Sequence, residues 1–171
     1  MQTRPEYLLL PASRAFIAAS IAVAFVLNIL PWGRMPVVPD FLALVLVFWN
    51  VHQPRKVGIG IAFVTGLLMD VHAAALLGEH ALAYTLLSYG AISMHRRVPF
   101  FRPAGQVVHV LPLFVATQLL VLLVRLALGA SAPPLGWFAQ PLVTALLWPV
   151  ARMLLLAPQR RAVHRDMTRP L

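Results

Sequence analysis

The chain has 171 residues, of which 60% are hydrophobic and 11% are charged, and its formal net charge is +9. Soluble domains carry about 25% charged residues, so this composition excludes an ordinary water-soluble domain and indicates a membrane protein. The length allows at most about six or seven spanning helices of roughly 20 residues and leaves no room for a soluble catalytic domain. The bases flank apolar runs, which argues against a nucleic-acid partner and favours contacts with anionic lipid headgroups. The chain contains no cysteine, which excludes disulfides and thiolate metal sites.

The first apolar run follows Arg4 and Arg14 and resembles a signal peptide. No small-x-small cleavage site comes after it, so we expect an uncleaved first span. Breaks rich in proline, glycine and charge separate it from five further runs. We therefore predict a single membrane domain, 1–171, with six spans at 15–31, 37–52, 57–77, 80–95, 106–128 and 137–157.

The basic residues predict the orientation of these spans. If the N-terminus is cytoplasmic, the tails and inner loops hold 11 of the 14 bases, namely Arg4, Arg14, Arg55, Lys56, Arg96, Arg97, Arg102, Arg160, Arg161, Arg165 and Arg169. The outer loops hold only Arg34, and Arg125 and Arg152 lie within spans near their ends. Positive residues concentrate on the cytoplasmic side of membrane proteins, so both termini are expected there, which requires an even number of spans.

The tryptophans near the span ends suggest aromatic belts. Trp32 and Trp137 would lie at the outer interface and Trp49 at the inner one. The alternative is that these residues are simply apolar filler.

Three charged residues form a candidate intramembrane polar cluster: Asp40, Asp70 and Arg125. An ionisable group in hydrocarbon costs at least a few kcal/mol, so Asp70 should face protein or water. It would serve as a partner contact, ion site or proton relay, or else cap or end this third helix or pair with a neighbouring donor. Asp40 follows Pro39 and is expected to cap the second helix. Arg125 either extends to the headgroups or pairs with Asp40 or Asp70.

Small residues recur at every fourth position of the third run, beginning with Gly58, Ala62 and Gly66. Small side chains let helix backbones approach closely in a membrane. This face would pack against another span of the same chain or against the helix of a partner protein. Gly58, Ala62 and Gly66 are the candidate residues for a partner-helix packing face.

The sequence offers no set of catalytic residues. His72, Glu79 and His80 lack the His-Glu-x-x-His spacing of a zinc site, and phosphate-binding glycine loops are missing. Six spans suggest a rhomboid-type protease, but no serine has the Gly-x-Ser-x-Gly-like setting that such an enzyme needs. We therefore predict that the protein is not an enzyme and that it uses no cofactor and no metal.

The order and spacing of several short motifs, from about residue 15 to 160, resemble the MreD family of rod shape-determining proteins. The motifs are Leu30-Pro31-Trp32, Pro39 followed by Phe48-Trp49, Pro54-Arg55-Lys56-Val57-Gly58, Gly66-Leu67-Leu68-Met69-Asp70, Leu77-Gly78 with Ala81-Leu82, and Leu147-Trp148-Pro149. Asp40 departs from the pattern, because relatives often carry a neutral polar residue at that position.

The resemblance implies a non-enzymatic scaffold of the cell-elongation machinery in the bacterial inner membrane. The implied direct partner is MreC, and through it MreB, RodA and the penicillin-binding partner of RodA, in rod-shape maintenance and lateral peptidoglycan synthesis. The implied fold is a six-span all-α bundle similar to the substrate-binding subunits of energy-coupling vitamin transporters. The alternative function is a transporter subunit that binds a small solute, with Asp40, Asp70 and Arg125 lining an outward-facing cavity.

Overall fold

The computed structural model describes residues 7–9, 12–33, 37–73, 76–130 and 133–162. Within them the chain is built from α-helices and a single short pair of strands. The helices are α1 (Arg14–Ile29), α2 (Phe41–His52), α3 (Ile59–His72), α4 (Glu79–Met94), α5 (Pro103–Ala127), α6 (Gln140–Leu146) and α7 (Trp148–Leu156). Short 3-10 helices at Val98–Phe100, Leu135–Ala139 and Ala157–Gln159 precede α5, precede α6 and follow α7.

Helix α2 is the centre of the bundle. Ten of its twelve residues, from Leu42 to Val51, are buried. Helices α1, α4, α6 and α7 pack around it. A helix of twelve residues is about 18 Å long, shorter than the roughly 30 Å hydrocarbon layer. Burial by its neighbours explains why this helix is apolar all round.

The helices follow the predicted spans closely, with three differences. Helix α2 begins at Phe41 and not at 37, because Asp40 caps its first turn. Helix α3 ends at His72 and not at 77. The predicted sixth span is divided at Leu147 into α6 and α7, next to Pro149. Proline lacks the backbone N–H that would continue the helical hydrogen bonds.

Among the described residues, two helical segments are long and apolar enough to cross a membrane: Pro103–Ala127 and Gly136–Gln159. Helices α1, α2 and α3 are shorter apolar helices. The chain is thus a helical protein with the composition of a membrane protein, and the number of spans stays a prediction.

The first and the last described segments of the chain pair with each other. Strand β1 (Tyr7–Leu9) pairs in antiparallel register with β2 (Arg160–Ala162), so that Leu8 lies opposite Arg161. Helix α1 therefore starts near the segment that follows α7.

The expected position of Trp49 at a membrane interface is wrong. Its side chain is fully buried, and its indole Nε1 donates a hydrogen bond to the Ser20 hydroxyl at 2.8 Å. The ring stacks edge-on against Phe16 with a centroid distance of 5.9 Å. Trp49 thus joins α1 to α2 in the core. Its position at the end of an apolar run is compatible with either a membrane interface or the core, so the sequence alone could not distinguish the two.

Candidate functional site

Asp70 holds the start of helix α4. Its Oδ1 accepts hydrogen bonds from the His80 backbone N–H at 2.7 Å and from His80 Nδ1 at 2.8 Å. Its Oδ2 accepts from the backbone N–H groups of Gly78 at 2.8 Å and Ala81 at 3.3 Å. The first N–H groups of a helix have no partner within the helix, and its N-terminus attracts negative charge. Asp70, which is only 1% exposed, therefore caps the following helix from the end of α3.

Local backbone geometry makes this cap possible. Gly78 has a φ of 105°, a left-handed conformation that L side chains rarely adopt. The turn at this glycine brings its own N–H and the first N–H groups of α4 onto one carboxylate. Replacement of Gly78 by a larger residue would strain this turn.

Helices α3 and α4 approach each other closely at Gly66, one turn before Asp70. A Cβ atom at Gly66 would lie 2.5 Å from the Ala81 Cα and 2.6 Å from the His80 carbonyl oxygen. Ala62, one turn earlier, is fully buried. Helix α4 of the same chain thus packs on α3 at Gly66, in agreement with one of the two alternatives that the spacing left open. Gly58 lies before α3, where a Cβ would meet no atom within 4 Å.

Arg125 joins the start of α4 to the end of α5. Its Nε donates to Glu79 Oε1 at 2.6 Å. The Glu79 side chain is 2% exposed and that of Arg125 is 34% exposed, so the pair lies at the edge of the buried region. Breaking such a pair leaves a buried carboxylate without its counter-charge, which is costly. We call the group formed by Gly66, Asp70, Glu79, His80 and Arg125 the α4 junction.

Asp40 forms a separate network that ties four helices together. It caps α2 as predicted, because its Oδ1 accepts from the Ala43 N–H at 2.8 Å. Oδ1 also accepts from Asn28 Nδ2, and Oδ2 accepts from the Tyr84 hydroxyl, both at 2.8 Å. The Asp40 backbone N–H donates to the Thr144 hydroxyl at 3.0 Å. We call this group the Asp40 network.

The three residues of the predicted polar cluster are therefore distributed over two groups. Arg125 pairs with Glu79 and not with Asp40 or Asp70. Tyr84 lies on α4 and connects the Asp40 network to the helix whose start Asp70 caps. The sequence analysis missed Glu79, Tyr84 and Asn28 as partners. Glu79 lies between two apolar runs, and an acid in such a place needs a donor or a counter-charge, but the sequence does not indicate which residue supplies it.

The polar side chains of the α4 junction and the Asp40 network bind one another and the ends of helices. A cavity of about 20 Å³ borders Asp40, Gln118, Gln140 and Thr144. That volume has room for about one water molecule, while small-molecule sites measure about 300–1,000 Å³. In the part of the chain that the structure describes, no group of three or more His, Asp or Glu side chains is placed to hold a metal ion.

Comparison with known proteins identifies the family. Residues 12–158 match the family model described as rod shape-determining protein MreD. The rod shape-determining protein MreD of Haemophilus influenzae is 39% identical over 75 residues, which is 43% of this chain and 46% of that protein. The aligned part thus spans about half the length of this curated relative. No solved structure matches the chain at a significant level. Because the family model covers most of the sequence, the chain belongs to the MreD family of rod shape-determining proteins.

Proposed function

We propose that this protein is a non-enzymatic scaffold of the cell-elongation machinery in the bacterial inner membrane. It binds MreC directly and, through MreC, is linked to MreB, RodA and the penicillin-binding partner of RodA during lateral peptidoglycan synthesis. The observation that carries this proposal is the family match over residues 12–158. The internal pairing of the buried acids at the α4 junction and in the Asp40 network supports a rigid helical unit.

The proposed unit is a single membrane domain of six spans with both termini in the cytoplasm. Two observations support it: the bases concentrate in alternate loops, and β1 pairs with β2, which brings the two ends of the chain together. An odd number of spans would put these ends on opposite sides of the membrane.

Cysteine crosslinking tests the topology. The chain has no native cysteine, so only the introduced thiols can react. Leu8→Cys combined with Arg161→Cys should form a disulfide under oxidation, since directly opposed residues in an antiparallel pair have suitable Cα separations. Leu8→Cys combined with Gly33→Cys, which is in the predicted outer loop, is the control and should not crosslink. A membrane-impermeant thiol reagent should label Gly33→Cys, but not Leu8→Cys, in intact spheroplasts. Labelling of Leu8→Cys from outside would refute the proposed orientation.

The alternative of a solute-binding transporter subunit receives less support. That function needs a polar cavity bordered by Asp40, Asp70 and Arg125. Asp70 already accepts four hydrogen bonds from the start of α4, and Arg125 is paired with Glu79. The cavity of about 20 Å³ at Asp40 is too small for a vitamin-sized solute.

We propose that MreC contacts a long apolar groove beside α1. Because α4 packs against Gly66 and Ala62 is already buried, a partner helix needs another surface. The groove has a volume of about 440 Å³ and runs between α1, α2 and α7. Ala19, Ser20, Ala24 and Ala151 are among its lining residues, and side chains of this size allow close helix packing. We call it the α1–α7 groove.

Co-purification of tagged MreC with this protein from membranes tests the proposal. Ala19→Phe fills the α1–α7 groove and should reduce the recovered MreC at least several-fold. Ala18→Phe is the matched control, since the neighbouring residue lines a different groove on the other side of α1. Equal MreC recovery for wild type and Ala19→Phe would refute the groove assignment. Absence of any MreC with the wild-type protein would refute the scaffold role itself.

A further inference from the structure

A second groove runs between α1 and α3 and has basic residues at one end. Its volume is about 500 Å³. Ile17, Ile21 and Phe25 of α1 line one wall, and Ile61 and Leu68 of α3 line the other. Arg14 and Lys56 also border this groove. Arg14 is the first residue of α1, and Lys56 lies just before the start of α3.

At the end of the groove that these two cations border, the lysine is held in place by a hydrogen bond to the backbone. Lys56 Nζ donates to the Ala12 carbonyl oxygen at 2.6 Å, which fixes its ammonium beside the start of α1. An ammonium has three donors, so two remain for a ligand. Helices α1 and α3 both begin at this end, and Gly58 before α3 provides no side-chain cap. Helix N-termini add partial positive charge to that of the two side chains.

The length of the groove matches one leaflet of a bilayer. The eleven-residue step from Arg14 to Phe25 along α1 corresponds to about 16 Å. Half of a roughly 30 Å hydrocarbon layer is about 15 Å. A partner's spanning helix would need contact along the whole thickness of the hydrocarbon layer, which is about twice the length of this groove. An anionic headgroup joined to an acyl chain satisfies both the charged end and the apolar walls.

We propose that the α1–α3 groove binds one anionic phospholipid from the leaflet that faces Arg14 and Lys56. The phosphate contacts the two cations, and one acyl chain lies between Ile17, Ile21 and Leu68. This site rests on the proposed membrane placement of α1 and α3 but not on the binding of MreC. Helices α1 and α3 have little direct contact with each other. The expected role of the lipid is to hold these two helices at a fixed distance.

Native mass spectrometry of the full-length protein, released from nanodiscs that contain phosphatidylglycerol and phosphatidylcholine, tests the site. The wild type should retain one phosphatidylglycerol in preference to phosphatidylcholine. Each cation near a membrane surface contributes about fivefold in affinity, so Arg14→Gln with Lys56→Gln should weaken retention roughly thirtyfold. Arg55→Gln removes a charge from the same loop but outside the groove and should leave retention unchanged. Ala18→Phe should block the groove, and Ala19→Phe should not.

The outcomes separate the possible ligands. Displacement of the lipid by inorganic phosphate or glycerol 3-phosphate would show an anion site without an acyl-chain site and would overturn the proposal. Unchanged phosphatidylglycerol retention in the Arg14→Gln and Lys56→Gln single variants, each checked for folding by size-exclusion chromatography, would also overturn it. No partner is present in this experiment. Its failure would leave the MreC proposal standing, and loss of MreC recovery in the Ala19→Phe variant would leave the lipid result standing.

Discussion

Replacement of Gly66 by alanine should loosen the contact between α3 and α4. The new Cβ would lie 2.5 Å from the Ala81 Cα, 2.6 Å from the His80 carbonyl oxygen and 2.7 Å from the Ala81 backbone nitrogen. Favourable carbon contacts lie at about 3.5–4.0 Å, so α4 must move by about 1 Å. Overpacking costs about 1–3 kcal/mol, and the upper part of that range is expected because all three neighbours are backbone atoms.

The matched control is Gly60→Ala in the same helix. A Cβ at Gly60 would meet no atom within 4 Å, so this variant receives the helix-propensity gain of up to about 1 kcal/mol without a clash. The difference in the free energy of unfolding between the two variants should therefore be about 2–3 kcal/mol, in favour of Gly60→Ala. Reversible unfolding in mixed detergent micelles, followed by circular dichroism, measures it. Equal stability of the two variants would refute the close approach at Gly66.

Three further predictions use the same stability assay. Asp70→Ala leaves three backbone N–H groups in and just before the first turn of α4 without an acceptor and should cost about 2 kcal/mol, whereas a change below about 0.5 kcal/mol would contradict the cap. Arg125→Gln should destabilise more than Glu79→Gln combined with Arg125→Gln, because the single variant leaves a buried charge unpaired; the opposite order would contradict the pair. Tyr84→Phe removes one bond to Asp40 and should cost about 1 kcal/mol, and an unchanged stability would argue against this link.

The sequence predicted the helices because apolar runs and their breaks are local features. The Asp40 cap was predictable for the same reason, since the residue stands directly after Pro39 and before an apolar run. The end of α3 was less predictable. Residues 73–77 are apolar enough to extend a run, but α3 must end at His72 for the Gly78 N–H to reach Asp70. That requirement comes from the packing of two helices and has no local signal.

The partners of the charged residues could not be predicted for a related reason. Glu79 and Arg125 are 46 residues apart, and Asp40 and Tyr84 are 44 residues apart. Spacing within one helix gives no information about which residues of another helix they will meet. The sequence indicated that a buried aspartate needs a donor, which is a physical requirement. It did not indicate that the donors of Asp70 would be backbone N–H groups at the start of the next helix, α4.

In the α4 junction, the same residues of α4 take part both in the close packing with α3 and in the cap formed by Asp70. A Cβ at Gly66 would meet His80 and Ala81, and Asp70, one turn later on α3, accepts hydrogen bonds from these same residues. A displacement of α4 by a Cβ at Gly66 should therefore lengthen the Asp70 bonds as well. The stability losses of Gly66→Ala and Asp70→Asn should not add, and the double variant should lose at least about 1 kcal/mol less than their sum.

Ser88→Ala provides the control for this cycle. Ser88 lies further along α4, where its hydroxyl accepts from Asn50 at 2.9 Å, and it does not belong to the junction. Combined with Gly66→Ala it should be additive within about 0.5 kcal/mol. Additivity of Gly66→Ala with Asp70→Asn would mean that packing and capping act independently. In that case the residues of the α4 junction would not stabilise the start of α4 as one coupled unit.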